Sequence, residues 1–303
     1  MEKYIALENI ISKEKIRYNE PMSKHTTMKV GGPCDCMVLP TSMEDIINVI
    51  NFAKENNIDY CVIGNGSNLL VRDEGVKKLI IKIAGAFNDI NVEDNCITVF
   101  SGCSIPKTAL VAKQNSLTGF EFACGIPGTI GGGVRMNAGA YGGEFSNVLE
   151  EVTYLDENNN ICVVKNEDMD FSYRHTIFTD RPKCVILKTK FKLSHGDLEK
   201  ITEEMEKNKK ARIEKQPLEY PNFGSVFKRP KGYFVGKLIQ DSGLKGKQIG
   251  GAQVSEKHTG FIVNRGGATC NDVLELIKLI QDTVFEKFGV NLKTEVVLIG
   301  GEK

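Results

Sequence analysis

Two segments concentrate glycine beside polar donors: VIGNGSNLLV at residues 62–71, and GIPGTIGGGVRMNAGAYGG at residues 125–143. Glycine lets main-chain N–H groups converge on an anion, because no Cβ blocks the approach and positive φ is open to it. Two such turns have the chemistry to hold a diphosphate. A lone glycine pair would more simply mark a tight turn between strands. Here Gly128, Gly131, Gly132, Gly133, Gly139, Gly142 and Gly143 crowd one loop region with Thr129, Asn137 and Tyr141, well beyond what chain reversal requires. The familiar phosphate loops do not fit. Leu69 stands where G-x-G-x-x-G needs its third glycine after Gly64 and Gly66, and no G-x-x-x-x-G-K-[ST] occurs. A dinucleotide bound here uses a different cradle.

The elements that must position these turns are short and mixed. Spacing predicts helices over residues 3–16 and 43–55, the second capped by Thr41 or Ser42 and burying Ile46, Ile47, Ile50 and Phe52. Strands are expected at 60–63, 79–83 and 96–100, a helix at 105–115, and strands again at 148–155, 161–164 and 185–193. A charged stretch at 197–215 lacks Gly and Pro until Pro217 and reads as a helix joining two units, with the boundary near Ser194. Strands around 224–227 and 260–264 follow. A helix over 271–288, capped by Asn271 and stopped by Gly289, buries Val273, Leu276, Ile277, Ile280 and Val284; a last strand covers 296–299. The fold class is α+β.

The chain of 303 residues is long enough for two or three compact units, with 41% hydrophobic and 26% charged residues in the balance of a globular protein. Lys plus Arg and Asp plus Glu number 39 each, so no global field draws nucleic acid or an anionic membrane. The N-terminal MEKYIALENIISKEK never reaches the apolar run of a signal peptide or membrane span, and a cytoplasmic location is expected. Nine scattered cysteines read as reduced thiols packed as small hydrophobes. His25, His175, His195 and His258 show no ligand spacing, and no metal is expected.

Several blocks in one order carry a resemblance: HTTMKVGGPCD from His25, GNGSNLLV from Gly64, GIPGTIGGGV and NAGAYGGE, YRHTIF from Tyr173, GSVFKRP from Gly224, GKLIQDSGLKG from Gly236, GGAQVSEKHTGFIVN from Gly250 and KTEVVLIG from Lys293. The chain resembles flavin domains of the vanillyl-alcohol-oxidase (PCMH) type and, more narrowly, the UDP-N-acetylenolpyruvoylglucosamine reductase family. That resemblance implies a two-part FAD-binding domain over residues 1–194, divided near residue 57, and a smaller α+β substrate domain over 195–303 whose last strand packs back on the first. It implies FAD-dependent, NADPH-driven reduction of an enolpyruvyl nucleotide sugar to UDP-N-acetylmuramate, a step of peptidoglycan and cell-wall synthesis that bears on cell shape and division. A monomer with small-molecule partners only is expected.

By the same resemblance, Gly64, Asn65, Gly66, Ser67, Asn68 and Leu69 would surround the FAD diphosphate and ribityl chain. Pro127, Gly128, Thr129, Gly131, Gly132, Asn137, Gly139, Ala140 and Tyr141 would do so from the second turn, with Tyr173 near the flavin ring. Neither turn holds a His for covalent attachment, so the flavin is expected to be dissociable. Adding hydride to the terminal carbon of an enolpyruvyl ether drives negative charge onto the α-carbon and its carboxylate, which must then be stabilised and protonated. Arg174 would be the fixed cation, suited by its planar, paired donors. Ser225 matches the family's proton donor, a role in which a hydroxyl needs a neighbour such as Lys215 to stabilise the alkoxide or return a proton. Glu295 would pair with donors around the substrate carboxylate or supply a proton. Lys215, Arg229, Lys237 and His258 are candidates for the substrate's diphosphate or carboxylate. Arg229 stands where one group of the family has Asn, and no inserted loop lies between Leu193 and Asp197, which matches the shorter, type II group. Arg135 departs from a more usual aromatic.

Two rivals keep parts of this reading. An alcohol or lactone oxidase of the same flavin type would be bleached by the alcohol instead of NADPH. A flavin or nucleotide-sugar binding protein without turnover would keep the glycine turns but have no need of Arg174, Ser225 and Glu295 together.

Overall fold

A computed structural model describes residues 2–85 and 87–301. The chain divides into two contact units that interleave in sequence. The first comprises Met1–Tyr18, Cys36–Asn65 and Lys78–Arg212; the second comprises Asn19–Asp35, Gly66–Lys77 and Ile213–Lys303.

The first unit has two cores. Helix α1 (Met43–Glu55) starts where Ser42 Oγ accepts the Asp45 N–H at 3.0 Å. It lays Ile46, Val49, Ile50, Phe52 and Ala53 against Leu79 and Ile81, while Ile47 is only partly buried. The strand Tyr60–Ile63 runs parallel to Val76–Lys82, with Tyr60 opposite Leu79. The second core lies under an antiparallel sheet in the order Ile161–Lys165, Leu149–Leu155, Val185–Lys192, Cys96–Phe100, Ile90–Glu93. Helices α2 (Ile105–Gln114) and α3 (Ile130–Arg135) pack there around Phe120, Phe145 and Phe191. The short α4 (Ile177–Asp180) follows, and α5 (Leu198–Lys215) brings Met205 onto this core. Cys124 Sγ also donates to the Met205 carbonyl at 3.7 Å. These contacts explain why the first unit runs to Arg212, whereas the expected boundary lay near Ser194.

The second unit is built on an antiparallel sheet ordered Asn222–Ser225, Phe261–Asn264, Ala252–Val254, Gln248–Ile249. Helices α6 (Val235–Asp241) and α7 (Cys270–Phe288) cover its core, with Val273, Leu276, Ile277, Ile280 and Val284 buried as the spacing required. Val297–Ile299 pairs in parallel with Leu69–Val71 of the same unit.

Two local expectations need correction. Residues 3–16 do not form one helix: a 3-10 turn at Glu2–Asn9 is followed by another at Lys13–Lys15 and a strand from Ile16. Burial of Tyr4, Leu7 and Ile11 fixes these tight turns, and tertiary packing overrides local helical preference. Helix α7 is capped by Thr269, not Asn271: Thr269 Oγ1 accepts the Asp272 N–H at 3.1 Å and Asp272 Oδ2 accepts the Thr269 N–H at 3.0 Å. Gly289 ends it at φ 67. Among the cysteines, Cys34, Cys36, Cys103, Cys184 and Cys270 are buried.

Candidate active site

In the first unit the two glycine turns touch. A methyl on Gly64 would come within 2.3 Å of Thr129 Oγ1, so only glycine allows the strand end to lie against that residue. Thr129 opens α3, and the amides that follow are already used by the protein. The Ile130 N–H donates to Cys103 O at 2.8 Å, Gly131 N–H to Ser101 O at 2.9 Å, and Gly133 N–H to Thr129 O at 2.8 Å, while Gly132 N–H meets Thr129 Oγ1 at 3.4 Å. Gly131 and Gly133 therefore serve packing: methyls there would sit 2.9 Å from Ser101 Cβ and 2.7 Å from the Phe145 ring.

What this leaves is informative. The N–H groups of Gly64, Asn65, Gly128 and Thr129 donate to no protein acceptor among the described residues, although Gly128 and Thr129 are buried. Buried amides are nearly always paired, so the Gly128 and Thr129 donors call for an acceptor from outside the chain. A methyl-excluding turn with such donors fits the diphosphate of a dinucleotide. Ser101 adds to this, since its buried Oγ has no partner among the described residues; sequence reading missed it, and nothing local marks it.

Arg174 and Tyr173 form the tip of a tight hairpin closed by Ser172 and His175, which exchange main-chain hydrogen bonds at 3.2 and 3.1 Å. Arg174 has φ 57, a left-handed conformation that costs a side-chain-bearing residue about 1 kcal/mol or more. Side-chain bonds hold it there. Its Nη2 donates to Gly139 O at 3.0 Å, Nη1 approaches Asn137 O at 3.4 Å, and the guanidinium lies 5.0 Å from the Tyr173 ring centre. Buried Asn137 ties the hairpin to the glycine segment, donating to Ser172 O at 3.2 Å and accepting the Ser146 N–H at 3.0 Å. The expected cofactor residues Asn137 and Gly139 thus lie directly against the expected catalytic arginine.

Arg135, met in the sequence only as a departure, is the clamp behind this hairpin. Its guanidinium donates to the Phe178 carbonyl and, at 3.1 Å, to that of Cys184. Its own carbonyl accepts Thr176 Oγ1 at 3.1 Å and Thr179 Oγ1 at 3.0 Å.

In the second unit, a register shift between Asn222 and Ser225 bulges the strand that carries Ser225. Gly224 takes φ 83 there, which re-aims the next side chain. Ser225 Oγ donates to Phe227 O at 3.2 Å. The structure brings Glu295 to the same place: its N–H donates to Val226 O at 2.8 Å, and its carbonyl accepts Asn68 Nδ2 at 3.1 Å. Three residues read from distant blocks, Asn68, Ser225 and Glu295, are therefore neighbours.

The substrate-binding candidates are more dispersed. Arg229 donates to Tyr233 O at 3.3 Å and stacks 4.0 Å from the Phe234 ring centre. Lys237 makes an exposed 2.8 Å ion pair with Asp241, one helical turn on, and Lys215 is exposed at the end of α5. His258 is better held. Its Nδ1 accepts the Gly260 N–H at 3.2 Å, its ring packs 4.8 Å from Phe261, and burial lowers its pKa from 6.5. It is neutral near pH 7, with Nε2 carrying the proton.

A profile described as "FAD binding domain" matches residues 34–165, and one described as "UDP-N-acetylenolpyruvoylglucosamine reductase, C-terminal domain" matches residues 216–299. A UDP-N-acetylenolpyruvoylglucosamine reductase of Caldanaerobacter subterraneus subsp. tengcongensis is 48% identical over 294 residues, 97% of each chain. The chain belongs to the UDP-N-acetylenolpyruvoylglucosamine reductase family. The protein of the same name from Clostridium perfringens is 47% identical over 300 residues, covering 99% of this chain and 98% of that one. The crystal structure of the reductase from Thermus caldophilus superposes with a TM-score of 0.82 at 33% identity, over 94% of this chain and all of that one. Membership in this family makes the chain an oxidoreductase with a flavin-binding fold.

Proposed function

We propose that the protein binds FAD without a covalent link and reduces the enolpyruvyl group of UDP-N-acetylglucosamine enolpyruvate to UDP-N-acetylmuramate, with NADPH as hydride donor. The observation that carries this reading is identity of 48% across 97% of a reductase of that name. FAD, when bound, supplies the hydride that passes from NADPH to the terminal carbon of the enolpyruvyl group.

The chain's own groups do the rest. Amides of Gly64, Asn65, Gly128 and Thr129 receive the cofactor's diphosphate. Arg174, pre-set by its carbonyl contacts and left-handed backbone, holds the substrate carboxylate and the charge that builds on it as the new C–H bond forms. The Ser225 hydroxyl gives its proton to the α-carbon. Glu295 orients the donors around that carboxylate or relays a proton to it, and Lys215 stabilises the serine oxygen. In this reading the glycine turns hold the cofactor, and Lys215, Arg229, Lys237 and His258 hold the nucleotide sugar. The reaction belongs to peptidoglycan synthesis, and with it go cell shape, cell division, a cytoplasmic location and action as a monomer. Among the described residues no helix is long and apolar enough to cross a membrane.

The test is product analysis. NADPH consumption should depend on the enolpyruvyl nucleotide sugar and yield a product heavier by two hydrogens; NADPH oxidation that ignores this substrate rejects the reading.

A further inference from the structure

Helix α5 presents Ile201, Met205, Asn208 and Arg212 at helical spacings of four, three and four, which is one stripe on one face. Ile201 and Asn208 are 3% and 4% exposed, and Met205 packs on the core, so this is the helix's inward face. Its last position is an arginine. The side chain lies along the start of the second glycine turn: a methyl on Gly125 would be 3.1 Å from Arg212 Cδ and 3.5 Å from Nη1.

No carboxylate answers it. Among the described residues Arg212 has no ion pair or side-chain hydrogen bond, and the titratable groups that face it are the Tyr141 phenol and Cys124 thiol. Burial raises the pKa of both, so both are neutral at pH 7, and burial lowers that of Arg212 itself. A guanidinium stays charged under these conditions, and half-buried here it keeps donors that no protein acceptor among the described residues uses. The same turn carries the unused amides of Gly128 and Thr129.

We infer that Arg212 is the cation of the cofactor cradle, held on α5 beside Gly125 to meet the diphosphate of the dinucleotide. This rests on the FAD reading above. A fixed guanidinium on one side and main-chain amides on the other neutralise a phosphate from two directions, and the inward face of α5 places the cation before any ligand arrives.

The test compares binding of FAD and of riboflavin, which has the ring but no phosphate, to apoprotein by quenching of flavin fluorescence. Arg212→Met should weaken FAD by about 10- to 100-fold, as expected for a charge-assisted bond, and leave riboflavin unchanged. Arg212→Lys should recover part of the FAD affinity. The Arg212→Met apoprotein should melt no lower than wild type, since an unpaired cation has been removed. Unchanged FAD affinity in Arg212→Met overturns the inference, as does equal weakening of FAD and riboflavin. Wild-type apoprotein that binds no FAD would instead sink the cofactor reading itself.

Discussion

The glycine turns of the first unit and the Ser225–Glu295 neighbourhood of the second solve opposite problems. Around Thr129 the protein consumes most of its own amides and leaves a few N–H groups without acceptors. Around Ser225 the main chain closes on itself through the Glu295–Val226 hydrogen bond, and the Ser225 hydroxyl donates to the Phe227 carbonyl. In the proposed function the first region meets a diphosphate and the second delivers protons. Two arginines of the first unit sharpen the point: Arg135 is answered by the carbonyls of Phe178 and Cys184, whereas Arg212 has no such partner among the described residues. A half-buried cation with carbonyl partners holds the fold, and by our inference one without them meets an anion.

Substitutions can break this division. The largest effect is expected from Ser225→Ala: rapid mixing should show reoxidation by the enolpyruvyl substrate slowed by about 10²- to 10⁴-fold with NADPH-driven bleaching nearly intact. Equal loss in both halves would place Ser225 outside proton delivery. Arg174→Lys should cost about 10²-fold in turnover, because one ammonium cannot reproduce paired donors; near-normal kcat would remove Arg174 from the account.

Smaller effects probe the fold beneath. Gly64→Ala forces a methyl against Thr129 and should lower stability by about 1–3 kcal/mol while releasing flavin, read by thermal melts and by the absorbance of purified protein. Arg135→Met should cost about 1–3 kcal/mol in apoprotein by orphaning two carbonyls, the reverse of Arg212→Met; a neutral result would erase the contrast between the two arginines. The least effect concerns His258. Its folded pKa lies below the ordinary 6.5, so the unfolded chain takes up the proton first. Its contribution to stability is whole above 6.5 and is lost as pH falls toward the folded value. Melting curves between about pH 5 and 8 should show a shallower acid decline in His258→Gln.

Local signals made much of the architecture readable. Ser42 before α1, the spacing of α7 and the glycine after it are short-range chemistry, and they appear where residue types place them. The failure at residues 3–16 is of another kind, because Tyr4, Leu7 and Ile11 take their conformation from a core made by distant strands. The glycine turns were visible as composition, but not which glycines pack and which leave amides unused. That depends on Ser101, Phe145 and Phe122, contacts made across the sequence. The adjacency of Ser225 and Glu295 came only through the family blocks, since no periodicity links them. Arg212 was hidden in a run of Lys and Glu; only its place in line with Ile201, Met205 and Asn208 distinguishes it.

The most direct test is an anaerobic titration followed by visible absorbance. Purified protein should be yellow, lose that colour on addition of NADPH, and regain it without oxygen when UDP-N-acetylglucosamine enolpyruvate is added. Protein that stays colourless after refolding with FAD, or whose colour does not return with that substrate, would contradict the account.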